Sequence, residues 1–239
     1  MIDLSKMDKW ALGKCFDHSV LPKETTEADI RSGCREAVKY NCAAFYSASP
    51  YWTPVVVEEL AGTDVLPATG IGFPFGVVPS KIKALETEYA VKAGCKAVDT
   101  VINVGALRSG DVLEIRTELQ DFKAAAGDAL TKVILDVAFL TDEQIKIACE
   151  IIAEVGCDYA KTATGQFEGP TMDQFLVMKK ALMGTPVKLK VAGVKFPRPQ
   201  NAYAFLLAGA DLIGTRAAIE IINALDTMRE IGLVPAYQP

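Results

Sequence analysis

Short β-branched or apolar runs recur along this chain, separated by longer stretches with helical spacing, and that alternation constrains the fold more than any single motif. The runs lie near 15–20 (CFDHSV), 42–48 (CAAFYSA), 64–73 (DVLPATGIGF), 96–103 (KAVDTVIN), 132–139 (KVILDVAF), 157–164 (CDYAKTAT), 188–193 (KLKVAG) and 211–215 (DLIGT). Between them, "TTEADIRSGCREAVKY" offers Thr26 as an N-cap, and "LTDEQIKIACEIIAEVG" places Ile145, Ala148, Cys149 and Ile152 on one helical face. Eight strands within 239 residues match a (β/α)8 TIM barrel, whose usual length is about 250 residues. A doubly wound open sheet is the competitor, but it more often has fewer strands, and no G-x-G-x-x-G follows the first run. No linker or low-complexity segment interrupts the pattern, so a single barrel domain spanning residues 1–239 is predicted. Residues 1 to 13 read as a short helix closing the barrel bottom, and "VPAYQP" as a mobile tail. Tyr237 in that tail reads as part of a free end rather than as a lid over the pocket.

Half of the residues are hydrophobic, enough for a sizeable core, yet no run of eighteen apolar residues and no basic-then-apolar leader is present. The expectation is a soluble, cytoplasmic protein. The net charge of −5, with both signs interspersed, argues against nucleic acid or a membrane as partner. Six scattered cysteines with no C-x-x-C pair fit reduced, buried thiols. His18 is the one histidine, which leaves a catalytic zinc site or a serine-hydrolase triad poorly supplied. No metal and no cofactor are expected.

Four charged residues interrupt otherwise apolar strands: Asp99 in "AVDTVIN", Asp136 in "ILDVAF", Lys161 in "YAKTAT" and Lys190 in "KLKVAG". Burying an unpaired charge costs several kcal/mol, so each must be paired or carry a shifted pKa. Structural ion pairs, or lysines reaching for the rim, would account for any one of them. Two lysines on neighbouring strands cannot pair with each other, and desolvation plus repulsion would lower at least one ammonium pKa. Such an amine can attack a carbonyl and form a Schiff base, which makes Lys161 the candidate nucleophile. Gly165, Gly193 and Gly214 end three successive late strands beside Lys195 and Arg216, an arrangement suited to a phosphate. "GIGFPFG" (70 to 76) reads as a tight loop.

These segments resemble the deoxyribose-phosphate aldolase family over nearly the whole chain. "FDHSVLPKETT" is similar to that family's D-H-T-x-L-K-P-x-A-T, "GIGFPFG" to G-F-P-x-G, and "AVDTVINVGALRSG" to E-x-D-x-V-x-N-x-G-x-L-x-S-G. "AKTATG" resembles the K-T-S/A-T-G around the Schiff-base lysine, and "AGADLIGTR" the strand-eight G-A-x-R-x-G-T-S. The resemblance implies that Lys161 forms an iminium with the aldehyde donor, that Lys190 and Asp99 move protons, and that Asp17 orients the acceptor's hydroxyl groups. It places Gly165, Gly193 and Gly214 at the phosphate, and Ser47, Thr162, Lys195, Thr215 and Arg216 around the substrate. The implied partners are a small sugar phosphate and an aldehyde, with a homo-oligomer possible, and no cofactor is needed.

Departures from the family pattern gather at the phosphate end. "KVAGVK" is one glycine short of K-x-A/S-G-G-I/V-R and ends in Lys195, and Arg216 stands where the family has serine. In the second strand "YSASP" replaces V-C-V-N-P, so Ser47 takes the cysteine's place, and "LPK" inverts the usual K-P order at Lys23. Arg216 could strengthen phosphate binding, or bind a carboxylate or sugar hydroxyls instead. A Schiff-base aldolase for another sugar, and a catalytically idle sugar-phosphate-binding barrel, are the competing readings.

Overall fold

The computed structural model describes residues 2–238, so Met1 and Pro239, the ends of the expected domain and tail, lie outside the described residues. Eight parallel strands run in chain order around a closed barrel: β1 Phe16–Val20, β2 Ala44–Ser47, β3 Leu66–Ile71, β4 Ala97–Val101, β5 Leu130–Ile134, β6 Tyr159–Lys161, β7 Lys188–Ala192 and β8 Leu212–Thr215. Closure comes from β8 pairing with β1, where Asp17 faces Gly214. The helices are α1 Lys9–Gly13, α2 Glu27–Lys39, α3 Thr53–Glu59, α4 Ser80–Lys92, α5 Val104–Arg108, α6 Val112–Ala126, α7 Asp142–Val155, α8 Met172–Ala181, α9 Arg198–Ala208, α10 Ala218–Asn223 and α11 Leu225–Glu230. This is the expected (β/α)8 barrel. Among the described residues no helix is long and apolar enough to cross a membrane.

Strand alternation sorts the side chains into two layers. Phe16, Phe45, Val98, Val133, Ala160, Val191 and Ile213 point outward and merge with the helix faces into the main apolar core. Inside the barrel, Ala44, Ala68 and Ala97 cluster with Tyr46. Those small residues leave room for the long polar side chains described below. Thr26 caps α2 in a reciprocal box with Asp29, and Thr141 does the same for α7 with Gln144. On α7 the buried face is Ile145, Ala148, Cys149, Ile151 and Ile152, as the spacing predicts.

Two strand expectations need correction. The fifth strand spans Leu130–Ile134 rather than 132–139, because Asp136 adopts left-handed backbone angles (φ 48°, ψ 58°) and Val137–Phe139 form a 3-10 turn. Asp136 therefore leaves the barrel interior, and its Oδ1 accepts the Thr164 N–H at 2.7 Å, bracing the loops after β5 and β6. The sixth strand stops at Lys161, three residues before its expected end.

The N-terminal segment forms a 3-10 turn, Leu4–Lys6, followed by α1. Lys14, just after α1, pairs with Asp64 ahead of β3, which places this segment at the bottom of the barrel. The tail crosses the same end: the Gln238 N–H donates to the Ser5 carbonyl at 2.7 Å, and Arg229 lies 5.1 Å from the Tyr237 ring. Arg229 also donates to the Leu4 and Met7 carbonyls. In this arrangement Tyr237 lies at the opposite end from the mouth of the barrel.

An ion pair that the strand pattern does not reveal ties α4 to α6. Lys83 Nζ lies 2.9 Å from Glu118 Oε1 and 2.6 Å from the Val101 carbonyl, and both side chains are fully buried. Glu118 also accepts the Asn103 N–H at the end of β4. Removing one partner of such a pair strands a buried charge and costs about 3–5 kcal/mol, whereas removing both together costs far less. Lys83→Met is thus expected to lower unfolding stability by about 3–5 kcal/mol in urea titrations, and Lys83→Met with Glu118→Leu to recover most of it.

Candidate active site

Alternation along the strands decides which polar residues reach the barrel interior. Asp17 on β1, Tyr46 on β2, Asp99 on β4, Lys132 on β5, Lys161 on β6 and Lys190 on β7 all point inward and are buried. Their charges form a continuous chain. Asp99 Oδ2 lies 2.8 Å from both Lys161 Nζ and Lys190 Nζ. Asp17 Oδ2 lies 2.7 Å from Lys190 Nζ and 2.8 Å from Lys132 Nζ. Three amines thus share two carboxylates. The Tyr46 ring lies among them, 4.0 Å from Lys190 Nζ, 5.1 Å from Lys132 Nζ and 5.7 Å from Lys161 Nζ.

The surplus amine shows in the proton affinities. Burial pushes the Lys161 pKa down to about 8, with the Lys190 charge adding to the fall and Asp99 opposing it. Lys190 also suffers from burial, but its contacts with Asp17 and Asp99 outweigh that and raise its pKa. Lys132 is lowered, mainly by burial. Asp99 stays ionised well below the usual carboxylate range: burial works against it, and Lys161, Lys190 and Lys132 overcome burial. Near pH 8 Lys161 is therefore a half-neutral amine beside a cation and a carboxylate. Of the three lysines, Lys161 and Lys190 line the pocket and Lys132 lies behind them.

That pocket opens at the C-terminal ends of the strands, where barrel sites lie. Asp17, Ser47, Asp99, Lys161, Gly165, Lys190, Gly193, Gly214, Thr215 and Arg216, all singled out in the sequence, line it together. Ser47 Oγ donates to the Ser49 carbonyl at 3.0 Å and lies 3.3 Å from Thr69 Oγ1. The glycines act partly through the space they leave. A Cβ on Gly214 would lie 2.8 Å from Lys190 Cε, so this position makes way for the lysine stem. Gly193, at φ 76°, lets the loop after β7 touch Gly169 in the loop after β6, where a Cβ would lie 2.9 Å from the Gly169 Cα.

Two expected substrate contacts fall elsewhere. Thr162 follows Lys161 on β6 and so points outward, where its hydroxyl donates to the Ala192 carbonyl and accepts the Ala192 N–H, both at 3.0 Å. Lys195 is exposed beyond the rim, because the chain has already turned away at Gly193 and Val194. His18 also faces outward, with Nε2 3.2 Å from Glu36 Oε2. Lys132, Tyr46 and Arg198 join the site without having been singled out. Arg198 opens α9 and lines the pocket with Arg216, and neither guanidinium has a carboxylate within ion-pair distance among the described residues.

Fold and site together define a class: a (β/α)8 barrel that presents a buried amine cluster at the C-terminal mouth of its strands. The model of the DeoC/LacD family aldolases matches residues 13–196. A deoxyribose-phosphate aldolase from Brevibacillus brevis is 38% identical over 217 residues, covering 90% of this chain and 97% of that protein. The solved structure of QR15, an aldolase, has a TM-score of 0.83 at 28% identity and covers 92% of this chain and 98% of that one. A tetrameric deoxyribose phosphate aldolase from Aeropyrum pernix shares the fold, with a TM-score of 0.83 at 24% identity over 92% and 93% of the two chains. The chain belongs to the DeoC/LacD aldolase family. Arg198 and Arg216 lie beyond the segment that the family model matches.

The amine chemistry can be tested without any substrate. Competitive labelling with an amine-selective reagent across pH, read by peptide mass, is expected to titrate Lys161 with a midpoint near 8. In Lys190→Leu the midpoint should move to higher pH, since a neighbouring cation that favours the neutral amine is gone. A midpoint that stays or falls would remove Lys190 from control of Lys161.

Proposed function

We propose that this protein is a class I aldolase that reversibly cleaves 2-deoxy-D-ribose 5-phosphate to D-glyceraldehyde 3-phosphate and acetaldehyde, with Lys161 as the Schiff-base residue. The observation that carries this reading is the Lys161 amine, held partly neutral at the pocket floor, with its Nζ and the Lys190 Nζ each 2.8 Å from the same Asp99 oxygen. Membership of an aldolase family and the names of the relatives support the reaction class and the substrate.

The steps use groups already in place. Neutral Lys161 attacks the C1 aldehyde of the open-chain sugar; the new N–C bond forms as the C=O π pair moves to oxygen. Asp99 carries the proton released by nitrogen to that oxygen, and the Lys190 ammonium supplies the second proton that lets it leave as water. The product is an iminium with Lys190 neutral. Neutral Lys190 takes the C3 hydroxyl proton as the C2–C3 bond breaks, and its electrons pass into the iminium as an enamine. Glyceraldehyde 3-phosphate departs, the Lys190 ammonium protonates C2, and water adds to the new iminium to release acetaldehyde and neutral Lys161, the last proton returning to Lys190. Asp17, which lines the pocket, would orient the acceptor's hydroxyl groups. The substrate is a small diffusible sugar, and we place the work in the cytoplasm.

At the acceptor end, the unpaired guanidinium groups of Arg198 and Arg216 would hold the phosphate by charge-assisted hydrogen bonds. A carboxylate would fit the same pair, so acceptors ending in a carboxylate belong in the same assay. Lys161→Ala is expected to abolish release of glyceraldehyde 3-phosphate. Changing both arginines to Gln should raise KM for the phosphorylated sugar by roughly 10- to 100-fold and spare the slower cleavage of unphosphorylated 2-deoxyribose. Equal losses on both sugars, or none on either, would exclude the arginines from acceptor recognition.

A further inference from the structure

One charged strand residue that is conspicuous in the sequence has no part in the steps above. Asp136 is 3% exposed and holds left-handed backbone angles (φ 48°, ψ 58°), which a residue other than glycine adopts at a cost. Among the described residues only Asn41 shares a positive φ without being glycine, and it lies at the bottom of the barrel, bonded to the Trp10 carbonyl. Asp136 stands at the mouth. Extended backbone here would have sent its side chain inward after Lys132 and Ile134; the turn carries it across to the loop after β6 instead.

Three hydrogen bonds join this turn to the segment that begins at Lys161. The Leu135 N–H donates to the Lys161 carbonyl and the Val137 N–H to the Thr162 carbonyl, both at 3.0 Å. These two continue the backbone pairing past Ile134 and Lys161, the last paired residues of β5 and β6. The third is of another kind. Thr164 lies beyond the end of β6 and is buried, so its N–H has no strand to donate to and would be costly to leave unpaired. Asp136 Oδ1 accepts it at 2.7 Å, the short distance of a bond to a carboxylate. Thr164 and Gly165 line the pocket, whereas Asp136 does not. A sugar joined through C1 to Lys161 must extend from the strand ends toward the mouth, along the residues that follow Lys161.

We propose that Asp136 is a positioning residue: by accepting the Thr164 N–H it fixes the Thr164–Gly165 wall against which the acceptor half of the sugar lies. The proposal rests on the aldolase reading above and adds no chemical step to it. The strained turn is what brings the carboxylate to that amide. A wall that meets the sugar equally in the ground state and the transition state acts on KM rather than on kcat.

Two substitutions separate the side chain from the turn. Asp136→Gly removes the carboxylate and keeps a backbone that glycine adopts freely, while Asp136→Asn tolerates the turn and retains an accepting oxygen. In Asp136→Gly, KM for 2-deoxyribose 5-phosphate is expected to rise roughly tenfold with kcat within about threefold, and the Thr164 amide to exchange its hydrogen at least about tenfold faster. Asp136→Asn should stay within about twofold of the parent in KM and in exchange. Parental KM in a Gly variant whose Thr164 amide is released overturns the proposal, and so does a loss confined to kcat. An Asn variant as impaired as the Gly variant overturns it too, by assigning the effect to the charge. Without any variant, a parent protein whose Thr164 amide exchanges as fast as an open loop removes the brace itself. A parent that keeps this amide protected yet fails to cleave the sugar overturns the aldolase reading, and this inference with it.

Discussion

An uneven number of charges is enclosed in the barrel: three lysines and two aspartates, none of them appreciably exposed. Two carboxylates cannot stabilise three ammonium groups equally: only the amine that touches both has its proton affinity raised, and burial lowers that of the other two. Lys190 touches both Asp17 and Asp99 and keeps its proton. Lys161 touches only Asp99, and of the two weakly basic amines it is the one that lines the pocket. An amine that is partly neutral near pH 8 is in this sense a consequence of charge counting inside a closed sheet.

The architecture supplies what that cluster requires. A closed parallel barrel offers an interior lined from eight directions, and small residues at Ala44, Ala68, Ala97 and Gly214 give three lysine stems and a tyrosine ring the volume they need. The rim is built differently. Its loops approach each other closely at Gly193 and Gly169, and the cations it adds to the pocket lining are two arginines, Arg198 and Arg216, rather than buried ions. The two kinds of cation are therefore separated by depth: amines below, guanidinium groups above.

Much of this was legible in the sequence because strands with period-two burial expose their exceptions. A charge in an apolar run, as at Asp99, Lys161 and Lys190, is conspicuous, and all three meet at one carboxylate oxygen. Lys132 escaped notice because it falls near the start of its run and resembles a flanking residue, and Tyr46 because an aromatic in a strand reads as core. Asp136 was conspicuous for the same reason as Asp99, yet a left-handed turn removes it from the interior. Thr162 shows the converse, since adjacency to Lys161 in sequence means the opposite face of the strand. Arg198 and Lys195 could not be sorted from sequence: Lys195 lies in the irregular loop after β7 and Arg198 opens α9 at its end, and only the path of that loop decides which one meets the pocket.

The measurement that bears most directly on this account is reduction of the protein with borohydride in the presence of acetaldehyde, followed by peptide mass mapping. A single ethylated lysine at Lys161, with Lys190 and Lys132 unmodified, is the expected result, because only Lys161 combines access with a lowered proton affinity. Modification centred on Lys190, or no stable adduct in the folded protein, would contradict the claim that the surplus amine of the barrel is its nucleophile.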